Sequence, residues 1–315
     1  MQIIDAAATR AALPFDALIA ALEALFIAGC TTPARHVHRI GATGTSLIMP
    51  AWQADYFGVK TVNIFPDNRA RAVPALFSTY MLYDAVSGAP LAQIDGDEIT
   101  ARRTVAASSL AARYLARPDA GRLLVVGAGR VASLLAEAYS AVRPLRQVQV
   151  WSRTPDAATA LVGTLCAQGY AATVCTDLEA GVRQADIVSC ATLSTAPLIR
   201  GDWLQPGSHL DLIGGFTPQM VEADDACFAG AAIYVDTEEA LQKAGDLLGP
   251  MARGVFSAAD VQGTLAQLCR GEREGCNGDA ARTVFKSVGS ALEDLAAAML
   301  VMQMQAAIAQ TQKSP

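Results

Sequence analysis

A glycine-rich segment places the strongest constraint on how this chain folds. Residues 125–132 read V-V-G-A-G-R-V-A, between an apolar run at 123–126 and a helical pattern at 131–142. The first glycine permits a tight turn, the second admits a pyrophosphate close to the backbone, and a small third residue lets helix and strand pack closely. Strand, G-x-G-x-x-A and helix in this order predict a dinucleotide-binding site. The residues expected to contact the dinucleotide are Gly127, Ala128, Gly129, Arg130 and Val131.

The sequence after residue 117 alternates between apolar strand patterns and helical patterns. Strands are expected at 123–126, 147–151, 172–175, 187–191, 209–213 and 233–235. Such alternation is typical of right-handed crossovers and a parallel sheet. We therefore predict an α/β fold in which residues 117–285 form a Rossmann NAD(P)-binding domain.

The two ends of the chain have a different pattern. A helix is expected at 15–27, extended segments end near residues 50, 65 and 84, and a second helix spans 102–115 with Thr100 as its N-cap. One long apolar helix follows Phe285, beyond a Gly-rich stretch at 271–278. We expect this last helix to return to the first domain. Residues 1–116 and 286–315 would then form a smaller α+β domain into which the Rossmann domain is inserted.

Composition excludes several classes of protein. The chain is 52% hydrophobic and only 17% charged, with a net charge of -6. Ample apolar surface argues against intrinsic disorder, and the absence of a basic cluster argues against binding to nucleic acid. A subunit interface is the simplest explanation of so few charges.

The N-terminus lacks a signal-peptide pattern. The apolar segment 295–309 is interrupted by Gln303 and Gln305, so we expect a docked helix and no membrane association.

Cysteine and histidine spacing gives no sign of a disulfide framework or a metal site. No two of the seven cysteines form a C-x-x-C pair, and we expect free thiols, mostly buried, in a reducing cytoplasm. His36 and His38 alternate on one face of a predicted strand, but no third ligand accompanies them. The cysteines are Cys30, Cys166, Cys175, Cys190, Cys227, Cys269 and Cys276.

The end of the second Rossmann strand indicates which dinucleotide is preferred. An acid there binds the ribose 2′-hydroxyl of NAD, whereas an arginine accepts the 2′-phosphate of NADP. Arg153 and Thr154 occupy this position, and no acid occurs before Asp156. They favour NADP(H) over NAD(H), although Arg153 is also compatible with a solvated strand-end charge. Thr192 and Ser194, at the end of the fourth strand, are further candidates for contact with the cofactor.

Two cations are candidates for binding an anionic substrate. Lys60, one of only four lysines, shares a predicted strand face with Val62 and Ile64, where an ammonium needs an anion or strong acceptor. The alternative is a lysine that extends from an edge strand to solvent. Arg102 and Arg103 fall in the first turn of the predicted helix, where the helix dipole disfavours cations. A bound carboxylate would compensate Arg103, whereas Arg102 is expected to face solvent.

These residues together resemble the ornithine cyclodeaminase/mu-crystallin family over nearly the whole chain. The matching segments are Pro33-Ala34-Arg35, Met49-Pro50, Gly58-Val59-Lys60, residues 99–104, the glycine-rich turn, residues 284–289 and residues 291–294. The resemblance implies a homodimer whose first domain binds substrate and dimerises. It also implies that Arg35, Lys60 and Arg103 hold the substrate carboxylate, with Lys60 and Arg103 catalytic. Thr104, Ser287 and Gly289 would lie near the cofactor.

One position departs from this family. In members that cyclise ornithine, a catalytic aspartate follows paired glycines after the fifth strand, whereas this chain has Phe216 after Gly214-Gly215. Phenylalanine cannot transfer a proton, and cyclodeamination requires proton transfer at nitrogen in several steps. Reduction of an imine that arrives already protonated requires less.

The leading prediction is therefore an NAD(P)H-dependent reductase of a small cyclic imino acid, such as a pyrroline- or piperideine-2-carboxylate. A linear imine formed from an oxo acid and an amine is a close variant. The alternatives are an ornithine cyclodeaminase, with Asp211, His209 or a water in place of the aspartate, and a non-catalytic NADPH-binding protein.

Overall fold

The computed structural model describes residues 1–71, 73–275, 278 and 280–311, except the side chains of Arg69, Ala309 and Thr311. Cys276 lies outside this description. The chain folds into two compact units, unit 1 (residues 1–103 and 290–315) and unit 2 (residues 104–289). Unit 2 is thus inserted into unit 1, as predicted. Residues 104–116 and 286–289, which the sequence analysis assigns to the first domain, belong to unit 2.

The helices of the described residues carry most of the apolar sequence patterns. They are α1 (Ala6–Ala11), α2 (Phe15–Ala28), α3 (Gly96–Leu115), α4 (Leu135–Ser140), α5 (Pro155–Ala167), α6 (Leu178–Gln184), α7 (Ala240–Lys243), α8 (Gly245–Ala252), α9 (Leu265–Cys269) and α10 (Ala291–Thr311).

The strands fall into one sheet in unit 1 and two in unit 2. They are β1 (Gln2–Ile4), β2 (His36–Ile40), β3 (Gly44–Gln53), β4 (Tyr56–Ile64), β5 (Leu76–Asp84), β6 (Pro90–Asp95), β7 (Arg122–Val126), β8 (Gln147–Trp151), β9 (Ala172–Val174), β10 (Ile187–Cys190), β11 (Thr195–Ile199), β12 (His209–Leu212), β13 (Val221–Ala223), β14 (Ala232–Val235), β15 (Val261–Thr264) and β16 (Thr283–Lys286).

Unit 1 is a six-stranded sheet with helices packed on one face. The strand order is β1-β6-β5-β4-β3-β2, and the pairs are antiparallel apart from β1 with β6. The register aligns Met49, Lys60, Tyr80 and Ile94 in one row across four strands, and all four are at most 5% exposed. Helix α10 packs against β3, β4 and α2 on the covered side of the sheet. Lys60 therefore lies on the buried face, as the alternation predicts.

Unit 2 is a Rossmann fold, which confirms the predicted fold class. Its main sheet has the order β15-β14-β16-β12-β10-β7-β8-β9, and every pair in it is parallel. The strand order reverses between β7 and β10, and ligands of such folds bind at the carboxyl ends of the strands beside this reversal. The apolar run before Gly127 forms β7, whose residues Leu123 to Val126 are buried.

Helix α3 starts earlier than predicted. It begins at Gly96, and the Asp95 side chain accepts a hydrogen bond from the backbone N–H of Glu98 at 2.7 Å. Asp95 and Glu98 have the spacing of a capping box, a local signal that the sequence analysis overlooked in favour of Thr100. Arg102 and Arg103 are consequently the seventh and eighth residues of the helix, beyond its first turn, so the prediction based on the first-turn dipole is wrong.

The prediction that Arg102 faces solvent is also wrong. Arg102 is 4% exposed, its Nε donates to the backbone oxygen of Leu13 at 2.7 Å, and its guanidinium lies 4.2 Å from the centroid of the Phe15 ring. An arginine can be buried when its donors meet carbonyl oxygens and its planar face meets an aromatic ring.

Three other local predictions need correction. The helix after the glycine-rich turn is α-helical only over α4, because a 3-10 turn, Ala132–Leu134, precedes it. The strand β16 was missed, and it lies between β12 and β14 after the Gly-rich stretch that was expected to end the sheet. The edge strand β15 was missed as well. Neither V-Q-G-T in β15 nor T-V-F-K in β16 has more than two adjacent apolar residues, so neither forms a distinctive apolar run.

Helix α10 is long and apolar enough, by length and composition alone, to cross a membrane over Ala291–Ile308. Half of this window is buried within the protein, as expected for a core helix.

The six described cysteines are all free, as predicted. Only Cys175, Cys190 and Cys227 are buried, which is fewer than predicted.

A buried carboxylate ties the helices of unit 2 to its sheet. Asp211 on β12 accepts hydrogen bonds from Ser108 on α3, Tyr139 on α4 and Ser189 on β10, at 3.0, 2.8 and 2.6 Å. It is completely buried, and burial raises its pKa to about 6 despite these donors. The bond from Ser108 explains in part why the second half of α3 belongs to unit 2.

This arrangement predicts the effect of removing one hydroxyl. Tyr139→Phe takes away a donor to a buried carboxylate, so we expect the free energy of unfolding to fall by about 1–3 kcal/mol. Ser140→Ala is the matched control, because Ser140 is exposed and its hydroxyl donates only within α4. Urea denaturation followed by circular dichroism measures both changes. Equal stability of Tyr139→Phe and Ser140→Ala would contradict the assigned role of this hydrogen bond.

Candidate functional site

The glycine-rich turn of unit 2 leaves room for a phosphate group at the end of β7. Gly127 has a φ of 121°, and a Cβ there would lie 2.7 Å from the backbone oxygen of Ala191 at the end of β10. A Cβ on Gly129 would meet no described atom within 4 Å. Ala132 is 1% exposed, as close packing of helix and strand requires. Glycine is thus needed at 127 by the protein itself, whereas the open space at Gly129 fits a pyrophosphate.

Most of the other predicted cofactor residues directly follow strands of the main sheet of unit 2. Arg153 and Thr154 are exposed just after β8. Ser287 and Gly289 follow β16, and Thr104 is half-buried on α3. Within the turn, Ala128 and Val131 are half-buried, and Arg130 is exposed.

Thr192 and Ser194 use their hydroxyl protons within the protein. Thr192 donates through both its backbone N–H and its hydroxyl to Glu222 Oε1, each at 2.7 Å, and the Ser194 hydroxyl donates to the backbone oxygen of Ala196 at 2.6 Å. Glu222 Oε2 accepts the backbone N–H of Gly214 at 2.7 Å. Glu222 therefore joins the loops that follow β10 and β12. Burial raises its pKa to about 7.

Two more buried carboxylates hold the neighbouring loops. Asp246 Oδ1 accepts the backbone N–H of Glu222 at 2.7 Å, and Lys286 Nζ lies 3.3 Å from Asp246 Oδ2. Asp236 Oδ2 accepts the backbone N–H groups of Val288 and Gly289 at 2.7 and 2.6 Å. Sequence reasoning missed these acids, although Asp236 directly follows the strand predicted at 233–235 in a largely apolar domain.

Lys60 and Arg103 meet in the core of unit 1. Lys60 Nζ donates to Asp294 Oδ1 at 2.7 Å, and Arg103 Nε donates to the same oxygen at 2.8 Å. Arg103 Nη1 donates to Glu293 Oε2, also at 2.8 Å. All four side chains are at most 7% exposed. The two cations are thus brought together, and two carboxylates of α10 balance their charge.

The pKa values of these groups follow from burial and pairing. Burial lowers the pKa of Lys60 to about 8, although the Asp294 and Glu293 carboxylates oppose this shift. Burial raises the pKa of Asp294, but the Lys60 and Arg103 charges outweigh it and hold the pKa below its ordinary value. Burial lowers the pKa of Arg103, but its two carboxylate partners raise it above the ordinary value. Lys60, Arg103 and Asp294 are therefore ionised near neutral pH.

The sequence contained a signal for this pairing that was not used. Glu293 and Asp294 are adjacent acids in an otherwise apolar helical segment, where an unpaired charge is costly. Tyr80 Oη and Asp294 Oδ2 are among the buried polar atoms that make no hydrogen bond to described residues. Tyr80 is directly opposite Lys60 in the sheet.

The predicted third cation, Arg35, lies near this cluster in the sheet. Arg35 immediately precedes His36 of β2, which pairs with Ile48 of β3. The residue after Ile48 in β3 is Met49, which pairs with Lys60 of β4. Arg35 is therefore about two strand spacings, or ~10 Å, from Lys60. It is half-buried, and its binding role stays a prediction.

No ionisable side chain occupies position 216. Phe216 is 42% exposed after the paired glycines, and a Cβ on Gly214 would collide with the backbone oxygen of Thr192. The suggested substitutes, Asp211 and His209, are completely buried. Asp211 accepts three hydroxyl donors, and His209 Nδ1 lies 2.9 Å from Thr283 Oγ1. Burial lowers the pKa of His209 to about 3, so both side chains serve the core of unit 2.

Among the described residues there is no cluster of three or more His, Cys, Asp or Glu side chains suited to a metal ion. His36 and His38 are exposed and stack 6.4 Å apart on β2.

Comparison with known proteins places this architecture in a family. Residues 12–307 match the model of the ornithine cyclodeaminase/mu-crystallin family. A Delta(1)-pyrroline-2-carboxylate reductase of Paracoccus denitrificans is 40% identical over 267 residues, which cover 84% of each chain. The Delta(1)-pyrroline-2-carboxylate reductase of Thermococcus litoralis, solved with NADH and L-proline, superposes with a TM-score of 0.93 at 27% identity over 98% of each chain.

A second solved structure, an archaeal alanine dehydrogenase dimer with bound NAD, gives a TM-score of 0.91 at 27% identity and covers 98% of this chain and 96% of its own. The resemblance inferred from separate sequence motifs is thus confirmed over nearly the full length. This chain belongs to the ornithine cyclodeaminase/mu-crystallin family.

Proposed function

We propose that this protein is an NAD(P)H-dependent reductase of a small cyclic imino acid, such as a pyrroline- or piperideine-2-carboxylate. The observation that carries the proposal is the buried pair of cations, Lys60 and Arg103, held side by side by Asp294. The glycine-rich turn of unit 2 supplies the second requirement, a fit for a dinucleotide.

The cation pair suits a carboxylate ligand. Lys60 uses one of its three N–H groups, and Arg103 uses Nε and Nη1, so Nη2 and two ammonium protons have no partner among the described residues. In a site with little water these donors are worth more than in solvent. The substrate carboxylate binds these donors, with Arg35 as the proposed third cation.

Reduction of an imine requires little proton transfer by side chains of the protein. A nicotinamide dinucleotide held at the glycine-rich turn would supply a hydride equivalent, which the conversion of a carbon–nitrogen double bond to a single bond requires. When the imine is bound as an iminium ion, its proton stays on nitrogen. Iminium and hydride then give a neutral amine, so no further proton or electron donor is needed. The cations of unit 1 then orient the substrate by its carboxylate and favour an electron-poor imine carbon.

Position 216 favours reduction over cyclodeamination. Ornithine cyclisation requires deprotonation of an amine and loss of ammonia, and Phe216 offers no base. Asp211 and His209 are engaged in the core of unit 2. The relatives named as Delta(1)-pyrroline-2-carboxylate reductases support the same choice. The alanine dehydrogenase neighbour favours a second candidate, reduction of a linear imine formed from an oxo acid and ammonia.

Steady-state assays test this function. We expect NADPH consumption with Delta(1)-pyrroline-2-carboxylate or its piperideine homologue, and no ammonia from ornithine. Lys60→Met should lower kcat/KM at least ~100-fold, about 2.7 kcal/mol of transition-state binding. Arg183→Met is the matched control, because it removes an exposed cation paired with Glu179.

Several results would contradict the reductase. Ammonia release from ornithine would show a cyclodeaminase, and turnover only with an oxo acid plus ammonia would show the linear variant. Tight NADPH binding without turnover of any imine would show a non-catalytic binding protein.

The proposed cofactor preference is NADP(H), and it rests on Arg153 and Thr154 after β8. An exposed guanidinium at this position can form paired hydrogen bonds to a 2′-phosphate. We expect Arg153→Ala to lower kcat/KM with NADPH at least ~10-fold, about 1.4 kcal/mol, and to leave NADH kinetics unchanged. Arg200→Ala, which removes an exposed arginine paired with Asp202, is the control. An equal loss with both dinucleotides would contradict the preference.

The proposed assembly is a homodimer formed through the uncovered face of the unit 1 sheet. That face carries a row of Pro50, Val59 and Met81, and a second row in which Trp52 and Phe57 make an edge contact. Trp52 is 41% exposed, and Val59 is partly exposed. An apolar sheet face of this kind normally requires a partner. The dimeric state named for the alanine dehydrogenase structure supports the proposal.

The proposed compartment is the reducing cytoplasm, consistent with the six described cysteines, all of which are free.

A charge on this face tests the assembly. Val59→Asp should convert a dimer of 32.8 kDa chains to monomers, because the carboxylate would be buried without a partner. Thr159→Asp, on the exposed side of α5, should remain dimeric. Size-exclusion chromatography with light scattering measures the mass of each. A wild-type monomer, or a dimer that tolerates Val59→Asp, would contradict this interface.

A further inference from the structure

Asp294 is the residue around which the two cations of unit 1 are arranged. Its Oδ1 atom accepts from Lys60 Nζ at 2.7 Å and from Arg103 Nε at 2.8 Å. Both bonds end on one atom, so the ammonium and the guanidinium are neighbours although their charges repel. The three side chains come from β4, α3 and α10, and all are at most 7% exposed. A shared oxygen in a closed core fixes the separation of the two cations.

The geometry separates the protein's own contacts from the donors that remain. Asp294 and Glu293 take Nε and Nη1 of Arg103, and Asp294 takes one N–H of Lys60. The remaining donors have no partner among the described residues. Arg103 is the most exposed member, with 7% of its side chain accessible. An entering anion would therefore meet Arg103 first.

We propose that Asp294 is the positioning residue of the substrate-carboxylate site, because its single shared oxygen sets the spacing and the charge of Lys60 and Arg103. This inference rests on the proposed function and deepens it. Asp294 does not itself bind the imino acid, and its Oδ2 atom is enclosed by the protein. It acts through the two cations.

The surroundings of Lys60 determine what removal of Asp294 would do. Among the described residues, the ionisable side chains that face it are Tyr80 on β5, Arg103 on α3, and Glu293 and Asp294 on α10. Burial and Arg103 lower the pKa of Lys60, while Asp294 and Glu293 raise it, to a net value of about 8. When position 294 carries no charge, only Glu293 still raises the pKa of Lys60 against the lowering effects of burial and Arg103. The pKa of Lys60 then falls, and the ammonium loses its proton at a lower pH.

Lysine NMR measures this shift directly and without substrate. The chain has only Lys60, Lys243, Lys286 and Lys313, so selectively labelled lysine gives few signals, and loss of one signal in Lys60→Met assigns Lys60. We expect a pKa of about 8 in the wild type and a value at least one unit lower in Asp294→Asn. Asp97→Asn is the control, because Asp97 also lies in unit 1 and accepts a hydrogen bond from a serine, Ser78. It should leave the Lys60 signal unchanged.

The same variant should alter catalysis in a pH-dependent way. The fall in kcat/KM for the imino acid at high pH should begin at a lower pH, and well above the pKa of Lys60 each unit of lowered pKa should reduce kcat/KM about 10-fold. Asp294→Glu keeps the charge but displaces the oxygen, so we expect a higher KM with the Lys60 pKa retained. This variant also tests the proposal if Asp294→Asn fails to fold.

The outcomes separate this proposal from the proposed function. An unchanged Lys60 pKa in Asp294→Asn, or an unchanged KM in Asp294→Glu, overturns the positioning role. A wild-type protein with the expected Lys60 pKa that reduces no imine overturns the function instead.

Discussion

The structure of unit 1 depends on the compensation of two buried cations by two buried carboxylates. An isolated ammonium or guanidinium in a protein core costs several kcal/mol, and removal of one partner of a buried pair is strongly destabilising. Lys60 and Arg103 are tolerated because Glu293 and Asp294 on α10 provide matching charge. The long C-terminal helix must therefore return to the first sheet, and this requirement explains why unit 2 is an insertion.

Unit 2 uses buried carboxylates in a different way. Glu222 and Asp236 accept mainly backbone N–H groups from loops at the carboxyl ends of the strands, and Asp246 accepts the backbone N–H of Glu222 itself. Two residues of these loops must be glycine, because the backbone around Gly127 and Gly214 leaves no space for a Cβ atom. The acids fix loop positions that a glycine-rich backbone would otherwise leave free. This rigid frame surrounds the turn to which we assign the dinucleotide.

Features encoded over a few residues were predictable from the sequence, and long-range pairings were not. The strand, turn and helix around Gly127 follow from local steric rules, and the alternation in β4 correctly placed Lys60 on a buried face. The partners of Lys60 and Arg103 lie 234 and 191 positions away, and no periodicity connects such distances. The N-cap of α3 at Asp95 was encoded locally but overlooked, and strand β16 has too short an apolar run to detect.

The central claim is that Lys60 and Arg103 recognise a carboxylate on an imine. The most direct measurement compares kcat/KM for Delta(1)-pyrroline-2-carboxylate with that for 1-pyrroline, which lacks the carboxylate, in wild type and Lys60→Met. The account predicts a wild-type preference for the carboxylate of at least ~1000-fold, about 4 kcal/mol, that shrinks by at least ~10-fold in Lys60→Met. Equal turnover of both imines by the wild type, or a preference that Lys60→Met leaves intact, would contradict it.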